Sequence, residues 1–152
     1  MTVHDSRNSD DPVVLVFPSV VLRKLAAISE QARPREGAAA LYGISRFGEL
    51  IISSARRIAN KARSYRQFIV DSQDLDGAIA FFHSHPISRT FSAQDRKQII
   101  RSRIPWVIGF PQPGRFSSRS DLRYGQWKFQ AARGDERRGF QPCKLFMTQE
   151  ET

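Results

Sequence analysis

The stretch Phe81-Phe82-His83-Ser84-His85-Pro86-Ile87-Ser88-Arg89-Thr90-Phe91-Ser92-Ala93-Gln94-Asp95 decides how the chain is read. Two of the three histidines in the sequence stand here, one residue apart, at the end of the apolar run Ala78-Ile79-Ala80-Phe81-Phe82. That run predicts a buried strand, and side chains alternate between the two faces of a strand. His83 and His85 therefore face the same way, roughly 6 to 7 Å apart along the backbone, and two imidazoles so placed can share one metal ion. A catalytic zinc usually keeps three protein ligands and leaves a fourth position open. His4 lies in a polar N-terminus and Cys143 near the far end, which leaves a carboxylate as the third ligand, and Asp95 is the nearest. It would fall in the first turn of a helix running from Ala93 to about Arg101, where the helix dipole favours negative charge.

Each of these residues has a plainer reading. Ser92-x-x-Asp95 by itself is a capping pair, a serine N-cap with an acid three residues on, and a histidine in a strand is more often a hydrogen-bonded core or surface residue than a ligand. The two signals together, His-x-His-Pro followed closely by Ser-x-x-Asp, point to a metal centre, because each supplies what the other lacks. Capping and metal binding can share the same residues.

Taken with the upstream segment Pro34-Arg35-Glu36-Gly37-Ala38-Ala39-Ala40-Leu41-Tyr42-Gly43, the sequence resembles the JAMM metallopeptidases, also called JAB or MPN-plus domains, in their small bacterial form. The family signature is a glutamate far upstream, His-x-His-Pro, a short loop and Ser-x-x-Asp, and the resemblance spans roughly Val13 to Gln130. It implies a mixed α/β fold of the cytidine-deaminase-like kind: a curved, mostly antiparallel sheet flanked by helices, with the site at one end beside the helix that carries the aspartate. It also implies His83, His85 and Asp95 as Zn²⁺ ligands, Glu36 as general base and Ser92 as hydrogen-bond donor to an oxyanion. Two features depart from the family pattern. Pro86 to Phe91 makes a loop of six residues, one fewer than usual. The helix that many relatives carry before the metal strand is replaced by Asp71-Ser72-Gln73-Asp74-Leu75-Asp76-Gly77, which reads as a hairpin-type link.

Outward from this core, 152 residues suffice for one domain, 13–148, behind a polar and flexible N-terminus, 1–12. Hydrophobic residues at 40% and charged ones at 26% suit a globular chain and exclude a disordered one. No apolar run approaches the ~20 residues of a membrane span, and the N-terminus does not read as a signal peptide. One cysteine excludes an internal disulfide, so a cytoplasmic location is the expectation. Val13 to Phe17 reads as a strand. A helix follows from Pro18-Ser19, with Ser19 as N-cap and Val21, Leu25 and Ile28 on one face, and it stops at Pro34. Ala38 to Tyr42, Leu50 to Ser53, Arg66 to Val70 and Trp106 to Phe110 read as strands, the last at the centre of the sheet. Tyr124 to Phe129 reads as an edge strand and Phe140 to Met147 as the last one. The arginine-rich stretches Arg56 to Arg63, Arg115 to Arg123 and Ala131 to Gly139 read as loops.

The activity implied by the resemblance is amide hydrolysis. A bound zinc acidifies water toward neutrality, a carboxylate within hydrogen-bond reach takes and returns the proton, and a hydroxyl donor steadies the oxyanion. The implied substrate is the peptide or isopeptide bond at the C-terminus of a ubiquitin-like protein or its conjugate. Bacterial relatives process ubiquitin-like or sulfur-carrier proteins, some within antiviral operons, so activating- or conjugating-enzyme-like proteins are the further partners implied. Two other readings stay open. The net charge of +9 could attract nucleic acid or any acidic partner, but no zinc-finger, helix-turn-helix or RNA-binding motif accompanies it. A catalytically silent MPN-type scaffold would typically lack one or more metal residues, whereas Glu36, His83, His85, Ser92 and Asp95 are all present.

Overall fold

The computed structural model describes residues 13–60, 72–86, 90–112 and 122–148. The chain enters through β1, Val14–Pro18, whose Leu15 and Phe17 are buried, and passes directly into α1, Ser19–Ala32. Val21, Leu22, Leu25 and Ile28 recur at helical spacing and give α1 one apolar stripe. The N-cap is Pro18 and not Ser19, because the helix follows the strand with no intervening residue and Ser19 already takes the first helical position. Arg33 and Pro34 end the helix as the sequence anticipates.

A long hairpin follows, β2 at Ala38–Arg46 and β3 at Glu49–Ile58. Its turn, Phe47-Gly48, has positive φ at both residues, 53° and 80°, the backbone that matches the twist of a two-residue hairpin. A bulge between Tyr42 and Gly43 bends β2. Only glycine fits there, since a Cβ on Gly43 would lie 1.9 Å from the Ile51 carbonyl oxygen. Arg56 and Arg57 belong to β3 and not to a loop, because buried Ala55 and Ile58 flank them and keep the backbone in the sheet. The expected strand at Arg66 to Val70, the 1–12 terminus and most of the Arg115 to Arg123 stretch lie outside the described residues. Ser72–Leu75 is a 3₁₀ turn where a hairpin-type link was expected.

The second half comprises β4 (Ala80–Ser84), α2 (Ala93–Ser102), β5 (Trp106–Pro111), β6 (Leu122–Tyr124), β7 (Trp127–Asp135) and β8 (Gly139–Thr148). Two expectations are corrected here. Tyr124 to Phe129 is not one edge strand but the hairpin from β6 to β7, turning at Gly125 with φ 62°. Ala131 to Gly139 is not a loop. β7 runs on to Asp135 and β8 starts at Gly139, because Ala131 and Ala132 are buried and their neighbours complete a ladder with Phe140 to Cys143.

The sheet order is β5-β4-β2-β3-β1-β8-β7-β6, and β5 also pairs with β7 from Trp106↔Ala132 to Pro111↔Trp127. That extra ladder closes the sheet into a barrel, which corrects the expected curved sheet flanked by helices; most pairings are antiparallel, while β1–β3, β1–β8 and β4–β5 are parallel. Each face of the sheet builds a core. Leu15, Phe17, Leu41, Phe82, Val107 and Phe129 pack with the stripe of α1. On the other face Ala38, Ala40, Phe81, Trp106, Ile108 and Ala132 pack with Ile99 of α2. Among the described residues no helix is long and apolar enough to cross a membrane.

Candidate metal centre

β4 lies between β2 and β5, with His83 opposite Ala38 on one side and Ile108 on the other. This register brings the start of β2, and so Glu36 just before it, to the end of the strand that carries the histidines. His83 is fully buried. Its ring stacks on Phe81 at 5.9 Å between centroids and meets the edge of Trp106 at 5.5 Å, while the Trp106 Nε1–H donates to Ser102 Oγ. His85 stands one residue past β4, where its backbone N–H donates to the Gly109 carbonyl at 2.7 Å. The two imidazoles approach each other with their Nε2 atoms 2.8 Å apart.

Asp95 arrives on the first turn of α2. The capping reading of Ser92-x-x-Asp95 holds in geometry: the Asp95 N–H donates to Ser92 Oγ at 3.0 Å, and the Ser92 N–H donates to Asp95 Oδ2 at 2.9 Å, a complete capping box. The same carboxylate faces the histidines, with Oδ1 3.4 Å from His83 Nε2 and Oδ2 3.1 Å from His85 Nε2. The short connection from Pro86 to Phe91 thus leaves Asp95 within reach of both rings. Glu36 is half-buried, and one carboxylate oxygen joins a nitrogen from each histidine in a set whose members all lie within 4.8 Å of one another, a grouping that could hold a metal ion.

The electrostatics separate the two acids. Burial by itself would raise the Asp95 carboxyl, but hydrogen bonds from His83 and His85 outweigh it and hold the group well below the usual carboxylate range. Burial pushes the Glu36 carboxyl up to about 7, against the opposing pull of His85. Burial lowers His83, with Asp95 working the other way. A neutral imidazole and an ionised carboxylate are the forms that metal ligation requires, and two imidazole nitrogens with one carboxylate oxygen suit zinc with a position left open. The donor set therefore fits a zinc ion.

All five residues singled out in the sequence converge at this end of the barrel: His83, His85, Asp95 and Glu36 by their side chains, Ser92 as the cap that orients Asp95. Two further residues shape the site. Ser84 accepts a hydrogen bond from the Gly37 N–H at 2.8 Å, and Asn60 Nδ2 donates to the Glu36 carbonyl at 3.0 Å. Neither could be picked from the sequence, since their partners lie 47 and 24 residues away.

Compared with known proteins, residues 18–122 match a family described as prokaryotic homologs of the JAB domain. A search of curated proteins gives no match. Two solution structures share the fold. A protein from Desulfitobacterium hafniense superposes with a TM-score of 0.69, covering 90% of this chain and 94% of its own at 16% identity. A protein from Salinibacter ruber gives 0.57, covering 90% and 93%, also at 16% identity.

Proposed function

The chain belongs to the prokaryotic homologs of the JAB domain, and from that membership and the geometry of its buried cluster we propose that it is a zinc-dependent peptidase or isopeptidase acting at the C-terminus of a ubiquitin-like protein. The observation that carries the proposal is the meeting of His83 Nε2, His85 Nε2 and the Asp95 carboxylate within 3.4 Å, with Glu36 beside them. His83, His85 and Asp95 would hold the ion. Zinc bound there supplies Lewis acidity, which acidifies water and polarises a carbonyl at neutral pH. Phe81 and Trp106 wall the inner side of His83 and keep its ring fixed and dry. Glu36 stands where a carboxylate takes a proton from water and returns it to the leaving amine. Ser92 Oγ accepts from the Asp95 N–H, which leaves its own O–H to donate to a developing oxyanion.

The test is metal content by elemental analysis, followed by cleavage of ubiquitin-like fusions by the loaded protein. About one zinc per chain, lost in His85→Ala and in Asp95→Ala, is expected, with cleavage slowed about 10²- to 10⁴-fold in Glu36→Gln. A protein that takes up no zinc when supplied with it would overturn the proposal.

A further inference from the structure

Resting on that reading, we propose that Ser84, the residue between the two histidines, is a positioning residue that sets Glu36 against the metal centre. Alternation along β4 puts the Ser84 side chain on the face opposite His83, at 1% exposure, so it takes no part in the cluster itself. The regular ladder between β2 and β4 ends at Ala38↔His83. One residue further on, Ser84 clasps Gly37 in both directions: the Gly37 N–H donates to Ser84 Oγ at 2.8 Å, and the Ser84 N–H donates to the Gly37 carbonyl at 2.9 Å. Without the hydroxyl the buried Gly37 N–H would lose this partner, and an unsatisfied buried donor is costly.

The peptide joining Glu36 to Gly37 is held on two further sides. A Cβ on Gly37 would lie 3.1 Å from the Ile28 carbonyl oxygen and from the Ala32 Cβ, so the end of α1 presses directly on it. Asn60, just past β3, donates to the Glu36 carbonyl. The backbone under Glu36 is thus fixed by β4, α1 and the exit of β3, and the link to β4 is made by the one residue bonded covalently to both histidines. The base and the two imidazoles share a single local frame, and the Ser84 hydroxyl closes it.

The experiment uses the full-length, zinc-loaded protein with Ser84→Ala, Asn60→Ala, Glu36→Gln and the pairwise combinations with Glu36→Gln. It measures zinc content, kcat and KM on a ubiquitin-like fusion, and exchange of the Gly37 amide by NMR. Ser84→Ala is expected to keep its zinc, to lose on the order of 10- to 100-fold in kcat as expected for a misplaced catalytic group, to leave KM within about 2-fold, and to speed exchange at Gly37. Asn60→Ala acts on the same peptide from a more open position and should show a smaller change of the same kind. In the Glu36→Gln background neither substitution should slow the residual rate further, because a base that is absent cannot be misplaced. If Ser84→Ala slows Glu36→Gln by the same factor as it slows the unmutated protein, or removes the zinc, the hydroxyl is merely structural and the proposal is overturned. If the unmutated protein cleaves nothing, the peptidase reading fails and Gly37 exchange decides the clasp alone: unchanged exchange in Ser84→Ala overturns it, and faster exchange with zinc retained upholds it.

Discussion

β4 is one strand with two unlike faces. Every residue from Ala80 to Ser84 is buried, so burial does not distinguish them; what differs is how a helix meets each face. On the Phe82 face α1 lies flank-on and contributes only its apolar stripe, and the result is a core. On the Phe81 and His83 face α2 packs Ile99 lower down but brings its N-terminal turn to the end of the strand. The free N–H groups and positive dipole of that turn favour a carboxylate, and a carboxylate beside two imidazoles makes a metal centre. The contrast teaches that a helix flank closes a hydrophobic core whereas a helix start beside a strand end leaves a place for chemistry.

The most severe way to break the contrast is to damage the core face alone. Phe82→Ala should lower the unfolding free energy by about 3–5 kcal/mol, read as a shift in urea midpoint, while zinc per folded chain stays unchanged. A variant that instead kept its stability and lost metal would mean that the two faces are not separable. On the site face, Glu36→Gln is expected to reduce kcat/KM by about 10²- to 10⁴-fold, the usual contribution of a general base, with thermal midpoint and zinc content preserved. Should Glu36→Gln lose the zinc and Asp95→Asn keep it, the two acids would exchange roles, an outcome the shared cluster of Glu36, His83 and His85 makes worth measuring.

A third comparison uses the ion. Ligand that binds only the folded state stabilises it by about 2.7 kcal/mol when present at about 100 times its dissociation constant. The unmutated protein and Phe82→Ala should both gain this on adding zinc and lose it to a chelator, and His85→Ala should gain nothing. Melting with and without chelator separates the three proteins. Equal gains in all of them would place the zinc elsewhere on the surface.

How far the sequence could be read follows from the range of each interaction. His83, His85, Ser92 and Asp95 were legible because their types and spacing fall within fifteen residues, and strand alternation and helix capping are local rules. Glu36 was legible through a family pattern. The closure of the barrel was not, since the apolar pattern of Trp106 to Phe110 suits a strand in an open or a closed sheet alike, and only the pairing with β7 decides. Arginine misled in two places. Arg56-Arg57 and Arg133 sit in strands beside buried residues, Ala55 and Ile58 in one and Ala132 in the other, where long apolar stems are tolerated beside the sheet and the charged ends reach water. Read as composition, such segments resemble loops. Ser84 was invisible for a different reason: its role is defined by a partner 47 residues away, just before another strand.

The mildest test falls where the two readings of α2 overlap. Ser92→Ala removes the hydroxyl that accepts from the Asp95 N–H, a loss of about 1 kcal/mol for an exposed N-cap. It leaves the other half of the box untouched, because the Ser92 backbone N–H still donates to Asp95 Oδ2, and the imidazoles still face the same carboxylate. Zinc content should therefore be unchanged while the urea midpoint falls slightly, and Ser92→Thr, which keeps an N-cap oxygen, should recover most of the difference. A loss of several kcal/mol accompanied by loss of zinc would show that the cap holds the metal ligand in place through the hydroxyl itself. In that case the helix start and the metal centre would be one unit, and the structural reading of Ser92 could no longer be separated from the functional one.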